Sequence, residues 1–213
     1  MALVQINKAL GEDKPGEHEA SEKLERAKRE AEFAQSEIDK GFPVLRSLAV
    51  VGIWSWLEHF VKGFAVMWIC NNKDVFSLPA IQKLKIKFGD YIHLDKSEQA
   101  AYLVEILEQE TASSLKRGVT RFETLLEVFS LDGNVPPECA KALFELQQIR
   151  NVVAHRNSKA DRRIIAECPW LKLKTGQPLE ISDVMMDAYG SASIEYLMTI
   201  LRRVCKQYGR DIP

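Results

Sequence analysis

The 213 residues carry 29 basic and 30 acidic side chains, a net charge of −1, and 46% of them are hydrophobic. A chain of this size and apolarity can bury one core, and its 28% of charged residues argues against wholesale disorder. The near-neutral balance excludes a protein that coats nucleic acid with its whole surface, while leaving room for a local basic patch.

No charged-then-apolar leader opens the chain over Met1 to Gly11. Glu17 to Lys40 is charge-rich with a thin apolar stripe (Ala20, Leu24, Ala27, Ala31, Ala34, Ile38), the pattern of a mostly exposed helix docked on one side or used on a partner. Gly41-Phe42-Pro43 ends it. Residues 1–41 are therefore expected as a charged helical arm and residues 42–213 as a helical bundle domain. Phe42 to Cys70 is apolar nearly all round, but Arg46, Glu58, His59 and Lys62 interrupt it, and the uncharged run Ser47 to Leu57 is shorter than the ~20 residues of a membrane span. The expectation is a central bundle helix, no membrane, and a cytoplasmic protein.

Leu78 to Lys87 reads as either a short helix or an irregular segment. Asp95 with Glu98 forms a capping pair for a helix from Ser97 to about Lys116, and Thr120 with Glu123 repeats that pattern before Phe122 to Leu131. Pro136-Pro137-Glu138 starts a helix that runs to about His155. Leu171 to Ile181, with Thr175-Gly176 between two apolar pieces, can form a small β-hairpin. Ser182 can cap a last helix, Asp183 to Tyr208, closed by Gly209. Within it, Gly190-Ser191-Ala192-Ser193 either lets another helix approach closely or is a weak point. The fold class expected is all-α, a helical bundle around one long apolar helix.

Cys70, Cys139, Cys168 and Cys205 lack zinc-cluster or redox-pair spacing and read as reduced thiols. No cofactor and no metal site are expected. The informative stretch is Phe144 to Asn157. At 100° per residue, Leu143, Leu146, Ile149 and Val153 form one apolar stripe, with Arg150 at its edge. Gln148, Asn151 and His155 form a second stripe, polar but without the Lys and Glu of an ordinary solvated face. Costly polar groups of this kind gather at functional sites.

Arg150, Asn151 directly after it and His155 match the arginine-polar-(spacer)-histidine signature of the HEPN superfamily, and residues 43–208 resemble its small helical bundles. The long helix around Ala49 to Phe60 resembles the family's central helix, with Glu58 at the acidic position that faces the motif arginine. The resemblance implies a metal-independent endoribonuclease working as a homodimer, with two copies of the motif sharing one cleft. It also implies the role of a toxin or antiviral (abortive-infection) effector held in check by an antitoxin or regulatory protein.

RNA brings its own nucleophile, the 2′-OH, so the protein need supply only a proton acceptor or donor and charge stabilisation. His155 is then the general acid/base, Arg150 the guanidinium that holds phosphoryl oxygens, Asn151 the orienting amide and Glu58 the partner fixing Arg150. Between Arg150 and Lys174 seven basic residues face two acidic ones, a local +5 in a chain of net −1. That places Gln148, Arg156, Lys159, Arg162 and Arg163 as candidate RNA-binding residues. Trp170 can stack a base or fill the core. The competing expectation is a non-catalytic helical interaction module, or a nucleotide-binding module, with the same fold.

Overall fold

The computed structural model describes residues 15–210; the Met1 to Gly11 reading, the start of the arm and the last three residues lie outside them. Among the described residues the regular structure is helical, without a strand. The chain divides between Leu45 and Arg46, a few residues past the expected boundary.

The first unit holds α1 (Pro15–Asp39) and the start of α2 (Pro43–Asn71). Helix α1 exposes Leu24, Phe33 and Ile38 and is laced by pairs such as Arg26–Glu30 (2.7 Å). Gly41 (φ 69°) and Phe42 (φ 61°) break it in the left-handed region, and Pro43 begins the next helix.

In the second unit α2 supplies Val50, Trp54, Leu57, Val61, Phe64, Ala65 and Ile69 to the core. By length and hydropathy it is long and apolar enough to cross a membrane. Its charged side chains are nonetheless each taken by a neighbouring element: Arg46 by Asp183, Glu58 by Arg121 (2.6 Å) and Lys62 by Glu108. Glu58 therefore does not fix Arg150, as the sequence reading expected. Its partner stands at the start of a different helix, brought there by packing that helical periodicity does not encode.

The ambiguous Leu78 to Lys87 segment resolves into a one-turn helix, α3 (Pro79–Gln82), and an irregular stretch before α4 (Phe88–Ile92). Helix α5 (Lys96–Glu110) carries the expected capping box: Asp95 accepts from the Ser97 and Glu98 amides while Glu98 accepts from the Asp95 amide. It ends earlier than expected, because Ala112 turns left-handed (φ 49°). Gly118 (φ 54°) sits so close to Phe144 that an added Cβ would lie 3.0 Å from that residue's backbone.

Helix α6 (Thr120–Glu127) starts without a side-chain cap. The expected Thr120–Glu123 pair is absent because Glu123 is engaged elsewhere. It accepts from Tyr196 Oη (2.7 Å), Arg203 Nη1 (2.9 and 3.0 Å) and the Gly133 amide (2.8 Å), tying α6 to the last helix.

Helix α7 (Pro137–His155) packs along α9 (Asp183–Gln207), with α8 (Arg162–Glu167) between them in sequence. Ser182 caps α9 as expected. Ala192 and Ser193 are buried, with the Cys139 thiol 3.3 Å from the Ala192 carbonyl, so this part of the small-residue run is a close approach. A Cβ at Gly190 would meet nothing. The hairpin expected over 171–181 does not form. Its second half pairs instead with the chain after α7: Ala160 N–H to Gln177 O, Gly176 N–H to Ala160 O and Leu179 N–H to Ser158 O, each 2.8 Å.

Candidate active site

The end of α7 carries two kinds of side chain on two faces. Leu143, Leu146, Ile149 and Val152 are buried in the core, with Val153 only half-buried beside them. Gln147 accepts from the Gly118 amide (2.6 Å), and the neighbouring Gln148 donates weakly to it (3.4 Å). Gln148 is buried yet lines an open cleft.

That cleft, about 290 Å³, is lined by Gln148, Asn151, Val152 and His155 of α7 together with Arg156, Asp161, Arg163 and Ile164. The polar stripe read from the sequence is thus one wall. The other wall comes from the turn after His155. There Asn157 (φ 51°) and Ser158 (φ 55°) are successively left-handed and send the chain back across the helix end. Two such residues in a row are uncommon outside glycine, and the three backbone bonds to residues 176–179 hold them.

Asp161 organises this wall. Its carboxylate caps α8 through the Arg163 and Ile164 amides (3.0 Å each) and receives Arg156 Nε at 3.2 Å. The Ile164 amide, aided by Arg156 and the Arg163 amide and opposed by desolvation, holds the carboxyl below its ordinary range. Arg163 is braced in turn by Glu167 (3.1 Å), which also holds Arg117. Two guanidiniums and an exposed imidazole therefore border the same space, each guanidinium held by a carboxylate.

Of the nine site residues taken from the sequence, Gln148, Asn151, His155, Arg156 and Arg163 line the cleft. Arg150 does not. It is half-buried, its Nη1 donates to Asn151 Oδ1 (3.1 Å), and its Nε is buried without a partner. It touches the cleft only through Asn151. Lys159 and Arg162 are exposed outside the lining, and Glu58 is occupied by Arg121. Asp161 was missed as a site residue, although an Asp opening the short segment Arg162-Arg163-Ile164-Ile165 is an N-cap signal.

Trp170 lies off the cleft, donating to Glu145, which also receives Tyr189 Oη (2.7 Å), with Lys141 over its ring. The thiols offer no nucleophile: none lines the cleft, and burial, then Glu145 and Glu167, pushes Cys168 up to about 12. Among the described residues, no group of three or more His, Cys, Asp and Glu side chains is placed to hold a metal ion. Compared with protein-family models, with curated proteins and with solved structures, the chain matches none.

Proposed function

We propose that this chain is a metal-independent endoribonuclease of the HEPN type. The observation that carries the reading is the single cleft in which His155 and Asn151 stand with Arg156 and Arg163. The cleft holds an acid/base group and cationic hydrogen-bond donors, but no serine or cysteine to attack a substrate. Such a set suits a substrate that carries its own nucleophile.

In RNA the 2′-oxygen attacks the adjacent phosphorus as its proton passes to an imidazole. The P–O5′ bond breaks, and the leaving oxygen takes a proton. The products are a 2′,3′-cyclic phosphate and a 5′-OH end. His155 is the acid/base group. Arg156 and Arg163 stand where the phosphoryl charge develops. Arg150, held against Asn151, is a positioning residue rather than the direct phosphate ligand of the sequence reading. A single imidazole supplies one of the two proton transfers, which agrees with the pairing of two protomers that the family resemblance implies. The role that goes with it is a cytoplasmic toxin or antiviral effector restrained by a partner protein.

Purified chain should cleave single-stranded RNA in excess EDTA, and His155→Ala should slow it by about 10²-fold or more. If His155→Ala cuts as fast as the parent, the assignment is wrong. A second reading, nucleotide binding without cleavage, draws on the small volume of the cleft and on Arg150 standing outside it. It predicts nucleotide affinity lost in Arg163→Ala with no RNA cleaved by the parent chain.

A further inference from the structure

The cleft has a floor and a rim of different character. Val152 and Ile164 are buried and apolar, and Gln148, only 2% exposed, borders the same space beside them. The rest of the lining, Asn151, His155, Arg156, Asp161 and Arg163, is polar and less buried. A carboxamide as deep as that of Gln148 is ordinarily hydrogen-bonded at both ends, and this one is bonded at one. Gln147 Oε1 accepts from the Gly118 amide (2.6 Å), so the Gln148 atom 3.4 Å from it is the donor, Nε2. That fixes which way the Gln148 amide is turned. Its Oε1 accepts no hydrogen bond among the described residues. The other side-chain oxygens of the lining are committed: Asp161 Oδ1 to the Arg163 and Ile164 amides, Asp161 Oδ2 to Arg156, and Asn151 Oδ1 to Arg150. The floor therefore holds one free acceptor beside two apolar side chains.

Gln148 precedes His155 by seven residues, two turns of α7, so both stand on one face about 10 Å apart along its axis. That is too far for one ligand atom to reach both. If the cleft takes RNA, as proposed above, a sugar–phosphate at His155 and the two arginines turns its base toward Gln148. We propose that Gln148 reads that base and that the cleft selects adenine. The apolar floor takes the flat of the ring, and the lone acceptor demands a donor. Adenine supplies one, its amino group, with a single ring nitrogen beside it on the same edge. Cytosine has the amino group but adds a carbonyl to that edge, and comes second. Uracil offers an N–H flanked by two carbonyl oxygens, and guanine adds a second donor and a carbonyl. Those extra groups would be left unpaired against Val152 and Ile164, which costs binding.

Short single-stranded RNAs that differ in one central base should be cut by the parent chain after adenosine with a kcat/KM about tenfold or more above that after uridine or guanosine. Replacing that adenosine by purine riboside, which lacks only the amino group, should remove the advantage. In Gln148→Met, which keeps the side-chain length and deletes the acceptor, adenosine and purine riboside should be cut alike. The purine riboside comparison needs no change in the protein, so it decides even if Gln148→Met fails to fold. Equal cutting after all four bases, purine riboside cut as fast as adenosine, or a preference that survives in Gln148→Met would each overturn the proposal and leave the ribonuclease reading standing. If the chain cuts no RNA, titration with the 5′-monophosphates of adenosine and purine riboside decides. Binding of the first about tenfold tighter, lost in Gln148→Met, upholds the role of Gln148 without cleavage, and equal or absent binding overturns it.

Discussion

Two arginine–carboxylate pairs in this molecule look alike as ion pairs and differ in their surroundings. Arg203 and Glu123 are only 16% and 15% exposed, and Glu123 also takes Tyr196 Oη and the Gly133 amide. The Tyr196 and Arg203 bonds to Glu123 are part-buried, and the network joins α6 to α9. Arg156 and Asp161 are 62% and 30% exposed, and the guanidinium stands at the rim of an open cleft. In the first pair both charges are consumed by the fold. In the second, the carboxylate orients a cation that can still meet something else. The two differ in accessibility rather than pairing, and accessibility is what separates a structural network from a binding one.

The largest effect expected from this contrast is on stability. Glu123→Ala removes the acceptor of the Tyr196 hydroxyl and the Gly133 amide and leaves the Arg203 guanidinium with only the Leu131 and Asn134 carbonyls. Breaking a largely buried pair from one side costs about 3 kcal/mol or more, which urea denaturation will measure as a lower midpoint. A loss under 1 kcal/mol would show that solvent relieves the network and that the contrast with the cleft is overdrawn.

Asp161→Ala should cost less, about 1 kcal/mol, the worth of an N-cap at an accessible helix end. Its pH dependence gives the sign. The Ile164 amide and Arg156 hold the folded-state pKa below that of an ordinary aspartate. The carboxylate's contribution is thus complete above the unfolded pKa and is lost as pH falls through the folded one. Parent and variant should differ most at neutral pH and converge in acid below about pH 4. A gap that persists in acid would mean that something other than the ionised cap is lost.

Much of this was legible in the residues, for reasons that also explain the failures. The α5 capping box and the Ser182 cap are local patterns of three residues, and both formed as read. The stripe Gln148-Asn151-His155 follows from helical period alone and does line one cleft. What needed a long-range partner was misread. Glu58 was matched to Arg150 by the family resemblance and Glu123 to Thr120 by a capping pattern, but packing delivered Arg121 and Arg203 instead. The hairpin failed in the same way, since residues 176–179 found their backbone partners at 158–160. Asp161 was counted as one charge in a basic segment, although its capping geometry is what positions Arg156.

The smallest expected effect tests the contrast most directly. His155 is the last residue of α7 and exposed, with no side-chain hydrogen bond among the described residues, so its imidazole is not one of the groups that hold the bundle together. An exposed side chain outside any cap or buried network contributes within about 0.5 kcal/mol. His155→Ala should therefore leave the urea midpoint where it was, while abolishing whatever the cleft does to RNA. Arg150→Ala provides the matched control from the same helix: it deletes a half-buried guanidinium that leans on Asn151, and should both destabilise the fold and weaken the cleft. If His155→Ala destabilised the protein as much as Arg150→Ala does, the imidazole would belong with Glu123 and Arg203, as part of the scaffold, and the cleft would lose its claim to chemistry.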